Sequence, residues 1–177
     1  MDFTELISRR RSVRQYEAGR HVSPEQILEL VTAAQQAPSW KNSQTARYYA
    51  AITPEAIASV MAALPDFNKK SATNCCALLV TTFKAGISGF AGSDPVNECG
   101  DEWGAYDLGL AGAYLTLKAA DMGLDTLIMG IRDAAMLRTA MDIPADETVM
   151  AVIAVGCRAG EPAARPRKPI SEIVTIR

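Results

Sequence analysis

The sequence predicts a mixed α and β fold, helix-rich around a small sheet. Three observations carry that prediction. Two nearly unbroken apolar runs, Ala77–Phe83 and Thr148–Val155, read as strands covered on both faces. Between and around them lie segments with helical periodicity and clear start signals. The composition, 49% apolar and 21% charged over 177 residues, is that of a water-soluble globular chain long enough for one real core. Residues 1–177 are therefore read as one domain.

Taken in order, Phe3 to Arg10 places Phe3, Leu6, Ile7 and Arg10 on one helical face. Ser23-Pro24-Glu25-Gln26 offers an N-cap, a first-turn proline and a capping-box glutamine. Ile27, Leu30, Val31 and Ala34 then form an apolar stripe that ends near Ala37-Pro38. Ser39–Gln44 is a polar loop, and Arg47–Ile52 reads as a strand. Thr53-Pro54 opens a third helix with Ile57, Val60, Met61 and Leu64 inward and Pro65 closing it. Ala85–Gly100 is a long glycine-containing loop, of a kind usually functional or mobile. Glu102–Met122 is helical and apolar or small nearly all round, which predicts a place in the middle of a core, with Gly123 as its C-cap. Leu124–Gly130 leads to a further helix at about Asp133–Met141, capped by Asp133. After Gly156, Pro162, Pro166 and Pro169 interrupt a polar arm that cannot be helical. Residues 157–177 are thus an extended arm, with Ile170–Ile176 as a short final strand suited to docking on a second subunit.

Several chemistries are disfavoured at once. No apolar run reaches the roughly 18 residues of a membrane span, and the acidic start does not resemble a secretory signal. A cytoplasmic protein is expected. The four cysteines (Cys75, Cys76, Cys99, Cys157) lack C-x-x-C spacing and read as reduced thiols. The single histidine, His21, sits in a turn; it offers neither a nucleophile's base nor a multi-histidine zinc site. No catalytic side chain and no metal site is assigned. Gly86–Gly92 has G-x-x-G-x-x-G spacing and is not the dinucleotide fingerprint. Gly109 and Gly112 inside the long helix each cost roughly 1 kcal/mol relative to alanine, so close packing against another helix is expected there.

With a net charge of −2 there is no global attraction to nucleic acid or anionic membrane, and neither is expected as a partner. The cations are nevertheless clustered. Arg9, Arg10, Arg11 and Arg14 form one group and Arg165, Arg167 and Lys168 another, together seven of the 18 lysines and arginines. Each cluster is either a solvated surface stretch or half of an anion site. Three features support the second reading. Ser12 interleaves a hydroxyl with the guanidinium forks, a good set for phosphate oxygens. The stretch ends a helix, where side chains can converge. Arg167 lies on a proline-stiffened arm able to reach the same anion.

These residues also resemble a known family. Arg10-Arg11-Ser12-Val13-Arg14-Gln15-Tyr16 resembles the opening motif of the nitroreductase family of FMN enzymes. Pro38–Gln44, Gly123–Ile131, Ile143–Glu147 before an apolar strand ending in Gly156, and Arg165–Val174 resemble its later motifs, in order, over nearly the whole chain. The resemblance implies an α+β fold, an FMN-binding α/β sandwich whose two subunits intertwine as a homodimer. It implies that Arg10, Arg11, Ser12 and Arg14 hold the FMN phosphate and ribityl chain, with Arg165 and Arg167 meeting the phosphate from the arm. Pro38, Ser39 and Asn42 would reach the flavin from the partner subunit. Met129 and Gly130 would lie against the ring, and Asn68 would bond its pyrimidine edge.

The implied activity passes hydride from NADH or NADPH, as co-substrate, through FMN to a small acceptor such as a nitroaromatic or quinone, in ping-pong fashion. Alternatives are a relative with another flavin reaction (dehalogenation, ring dehydrogenation, flavin fragmentation) or a flavin-binding protein without turnover. Two departures from the family pattern bear on substrate choice. Thr45-Ala46 stands where Pro-Trp is frequent, and the chain is short, which leaves the Ala85–Gly100 loop to cover the site.

Overall fold

The computed structural model describes residues 2–177. Helix α1 (Phe3–Arg9) starts at a capping box in which Asp2 accepts the Glu5 N–H at 2.9 Å and Glu5 accepts the Asp2 N–H at 3.3 Å. It buries none of its side chains. Helix α2 (Pro24–Gln35) has the expected box between Ser23 and Gln26, and it turns Ile27, Leu30 and Ala34 inward. A 3₁₀ turn (Trp40–Asn42) leads into strand β1 (Ala46–Ala51), followed by helix α3 (Pro54–Ala62) capped by Thr53.

Pro65 was expected only to close this helix. It is also the N-cap of a further short helix, α4 (Asp66–Ala72). Then come β2 (Ala77–Lys84), the two-residue strands β3 (Phe90–Ala91) and β4 (Asp94–Pro95), and α5 (Glu102–Asp121). Strand β5 (Asp125–Met129), helix α6 (Ala134–Ala140) with its Asp133 cap, and β6 (Glu147–Gly156) complete the order. The Ala85–Gly100 loop is therefore a small hairpin, β3 paired with β4.

The main sheet runs β1-β2-β6-β5, with every neighbouring pair antiparallel. Alternate residues point to opposite faces. Leu78, Val80, Val152, Ala154, Leu127 and Met129 join a core with Val60 of α3 and Leu137 of α6. Ala77, Leu79, Ile153 and Val155 join a second core with Leu30 of α2 and Leu115 of α5. Two covered faces explain why β2 and β6 read as continuous apolar runs despite antiparallel pairing. Burying each large aliphatic side chain here contributes about 1.5–3 kcal/mol.

Helix α5 lies against β2 closely enough to require a glycine. A Cβ at Gly104 would sit within 2.6 Å of Phe83 Cε2. The reading of α5 as central to a core needs correction, however. Ala111, Leu115 and Ala119 pack into the sheet's second core, while Tyr106 is 59% exposed and Tyr114 43%. An added Cβ at Gly109 or Gly112 would meet nothing within 4 Å, so among the described residues no other helix packs closely there.

The arm also differs from expectation. Ile170–Glu172 is a 3₁₀ turn, not the start of a strand, and Ile176 is 89% exposed. A strand needs an edge to pair with, and among the described residues Ile170–Ile176 pairs with none. Among the described residues no helix is long and apolar enough to cross a membrane.

Candidate functional site

The segment after α1 is drawn out beside β5. Val13 N–H donates to the Thr126 carbonyl at 3.0 Å, and Glu17 N–H to the Cys157 carbonyl at 2.9 Å. The buried Val13 and Tyr16 anchor it, and the alternate residues Ser12 and Arg14 are left exposed. The segment therefore presents hydroxyl and guanidinium groups outward from a fixed backbone.

A cavity of about 950 Å³ opens in front of it. Arg10, Arg11, Ser12 and Arg14 line one wall, Ala113, Thr116 and Leu117 of α5 another, and Arg165 and Arg167 of the arm a third. The two cationic clusters, more than 150 residues apart in sequence, thus share one cavity. The Arg10 guanidinium is held below its ordinary value by burial first, then by Arg167 and Arg11. Among the described residues, none of these five arginines has a carboxylate within 4.0 Å. Among the described residues the one carboxylate in the cavity lining, Glu161, is engaged by Arg158 at 2.9 Å. Converging cations that lack an ion-pair partner suit an anion with several oxygens.

A buried ion pair fixes the geometry. Asp125, at the start of β5, accepts from Arg158 Nε at 2.9 Å, Nη2 at 2.5 Å and the Arg158 backbone N–H at 2.9 Å. Arg158 Nη2 also reaches the Arg9 carbonyl at 3.4 Å. One side chain thereby ties the end of α1, the start of β5 and the root of the arm. Sequence reasoning missed it because Arg158 lies outside both clusters.

The remaining expected residues lie elsewhere. Pro38 and Ser39 line a separate cavity of about 630 Å³ between α2, β1 and α5. Asn42 is exposed on the 3₁₀ turn. Lys41, Asn42 and Gln44 all have left-handed backbones (φ 46°, 56° and 49°), a conformation costing non-glycine residues roughly 1 kcal/mol or more each. Beneath the turn lies the buried Asp107 of α5. It accepts the Trp40 backbone N–H at 3.0 Å and the Ser88 hydroxyl at 2.7 Å. Ser88 in turn lies 2.8 Å from the Ser43 hydroxyl and 3.3 Å from that of Thr45. An acid alone on the apolar stretch Trp103–Leu117 was the available signal for Asp107.

Asn68 is buried and donates to the Ile131 carbonyl at 2.9 Å. It thus braces the chain just beyond Gly130. Met129 packs into the core and is buried, whereas Gly130 is exposed.

An antiparallel sheet sandwiched by helices, with an arginine-lined cavity between α1, α5 and an extended arm, defines the class as an α+β protein. The sequence matches the nitroreductase family over residues 7–157, and the chain belongs to that family. A Bacillus subtilis (strain 168) protein assigned as an NAD(P)H nitroreductase, YdgI, is 33% identical over 78 residues, 44% of this chain and 37% of the relative's length. The match thus spans well under half of that relative. A structure from Exiguobacterium sibiricum 255-15, assigned as a nitroreductase in complex with FMN, superposes with a TM-score of 0.87 at 20% identity, covering 100% of this chain and 98% of the other. A Streptococcus pneumoniae TIGR4 nitroreductase family protein gives 0.86 at 18% identity, covering 99% and 100%. The enone reductase CLA-ER gives 0.86 at 20%, covering 99% and 97%.

Proposed function

We propose that this protein is an FMN-dependent NAD(P)H oxidoreductase that works as a homodimer in the cytoplasm. The observation that carries the reading is the meeting of Arg10, Arg11 and Arg167 in one cavity, where the lining Glu161 is paired with Arg158 and, among the described residues, no carboxylate lies within 4.0 Å of the three. That donor set fits a phosphate monoester, and the FMN in the Exiguobacterium structure supports the choice. The chemistry FMN supplies when bound is hydride acceptance from NADH or NADPH and its delivery to a small acceptor, such as a nitroaromatic or quinone.

The chain's own residues would bind and orient. Arg10, Arg11, Ser12 and Arg14 would grip the phosphate and ribityl chain, Arg165 and Arg167 would close over the phosphate, and the exposed Gly130, with the buried Met129 behind it, would border the ring. Asn68 would act by bracing Ile131 and the adjoining turn. Pro38, Ser39 and Asn42 would come from the second subunit, a reading supported by the separate cavity that Pro38 and Ser39 line in their own chain. The exposed outer face of α5 and the exposed Ile170, Ile173 and Ile176 at the end of the arm would be covered in the same dimer. No side chain is asked to act as an obligatory acid or base.

The test is the visible absorption spectrum of purified protein, repeated on the supernatant after boiling. Flavin bands that pass into the supernatant, with NAD(P)H oxidation sustained by an added quinone, are expected. A colourless protein that takes up no added FMN would overturn the reading. Because CLA-ER is an enone reductase of the same fold, activated alkenes belong in the acceptor panel.

A further inference from the structure

We propose that Asp107 is a positioning residue, holding the strained Trp40–Gln44 segment so that Pro38, Ser39 and Asn42 meet the flavin of the other subunit. This inference rests on the FMN reading above. Asp107 is 4% exposed and Ser88 1%, and the two meet where α5, the root of the β3–β4 hairpin and the 3₁₀ turn converge. One carboxylate oxygen takes both the Trp40 N–H and the Ser88 hydroxyl, and Ser88 carries the connection on to Ser43. Both ends of the turn are therefore tied to α5 through one buried charge. A second bond, from the Gln44 N–H to Ser39 Oγ at 3.0 Å, closes the turn on itself.

The turn needs such ties. Three of its residues occupy left-handed backbone that a free loop would leave. The hairpin root is fixed as well, because a Cβ at Gly89 would sit 2.7 Å from Trp103 Cδ1. Trp40 packs against the same Trp103, with ring centroids 4.7 Å apart and the planes tilted by 50°. The anchor thus stands on a rigid helix and a locked hairpin, while Pro38 and Ser39 line a cavity separate from their own chain's arginine cavity.

The role has a distinctive signature, because the phosphate grip and the turn serving one flavin belong to different subunits. Asp107→Ala should weaken FMN binding by about tenfold to a hundredfold, the usual worth of hydrogen bonds to a charged group. Asp107→Asn, which keeps an acceptor oxygen in place, should recover most of that loss. The decisive measurement is flavin content per dimer in heterodimers of differently tagged chains, co-expressed at limiting FMN. With Arg10→Ala on one chain and Asp107→Ala on the other, one site stays whole and half of the flavin should remain. With both substitutions on the same chain, each site is damaged once and little flavin should remain. The reverse pattern would mean that Asp107 supports only its own subunit, and it would overturn the proposal. So would an Asp107→Ala homodimer that binds FMN as tightly as the unchanged protein. If unchanged protein binds no FMN, or Arg10→Ala binds it normally, the underlying FMN reading fails instead. Should Asp107→Ala not yield folded dimer, Ser88→Ala, which cuts the tie to Ser43, goes into the same two heterodimers with the same expectation.

Discussion

At the scale of single residues, charge and burial decide the behaviour. Arg10 and Arg14 flank Ser12 on a fixed segment, and their guanidinium forks are the strong donors to phosphate oxygens. Replacing both by alanine should release FMN, and a doubly substituted protein that stays fully yellow would refute the phosphate assignment. Burial acts in the opposite direction on neutral acids. It pushes the Cys75 thiol from its ordinary value near 9 up to about 12, and the Tyr48 phenol from near 10 up to about 12. In these ranges the folded chain keeps protons that the unfolded chain releases. Stability is therefore intact below pH 9 and falls as pH rises toward 12, by at most about 1.4 kcal/mol per pH unit for each group. The urea midpoint should drop between about pH 8 and about pH 10.5, and less steeply in Cys75→Ala. A midpoint that does not move would show these groups to be solvated in the folded state.

At the scale of elements, packing decides which segments could be read in advance. Helices α2 and α3 and strands β2 and β6 were legible because caps and apolar periodicity are written locally. Helix α4 was not, since Asp66–Ala72 buries only Asn68 and Ala72 and so carries no apolar stripe. Strand β5, at five residues, is too short to separate from the loop around it. The arginine clusters were legible because charge is visible in sequence. The Asp107–Ser88 anchor was not, because its members meet only after the hairpin root folds back onto α5. Gly104 marks the same limit, since its lack of a side chain matters only where Phe83 faces it. Gly104→Ala should force Phe83 or α5 to shift and cost about 1–3 kcal/mol, as overpacking does. Urea unfolding measures this directly, and an unchanged midpoint would mean that α5 stands further from β2.

At the scale of the whole molecule, the surfaces left uncovered belong together. Ile170, Ile173, Val174 and Ile176 on the arm, Phe3 and Ile7 on α1, and Tyr106 and Tyr114 on α5 are all exposed large apolar groups. Strand β1 pairs only with β2 and keeps a free edge. Isolated exposed apolar residues are ordinary, but a set on both termini and the longest helix is what the proposed homodimer would cover. The arm also carries Arg165 and Arg167, so the residues that would join two subunits are continuous with those that would hold phosphate. Truncation after Gly160 separates these effects from folding, because it keeps Arg158 and its buried bond to Asp125. The shortened chain should retain its sheet and helices by circular dichroism, yet lose FMN and sediment as a monomer or aggregate. A truncated protein that remains a flavin-loaded dimer would place both the interface and the phosphate grip elsewhere. A soluble monomer that still holds FMN would show that one chain suffices for the site, contrary to the separation of the Arg10 and Pro38 cavities.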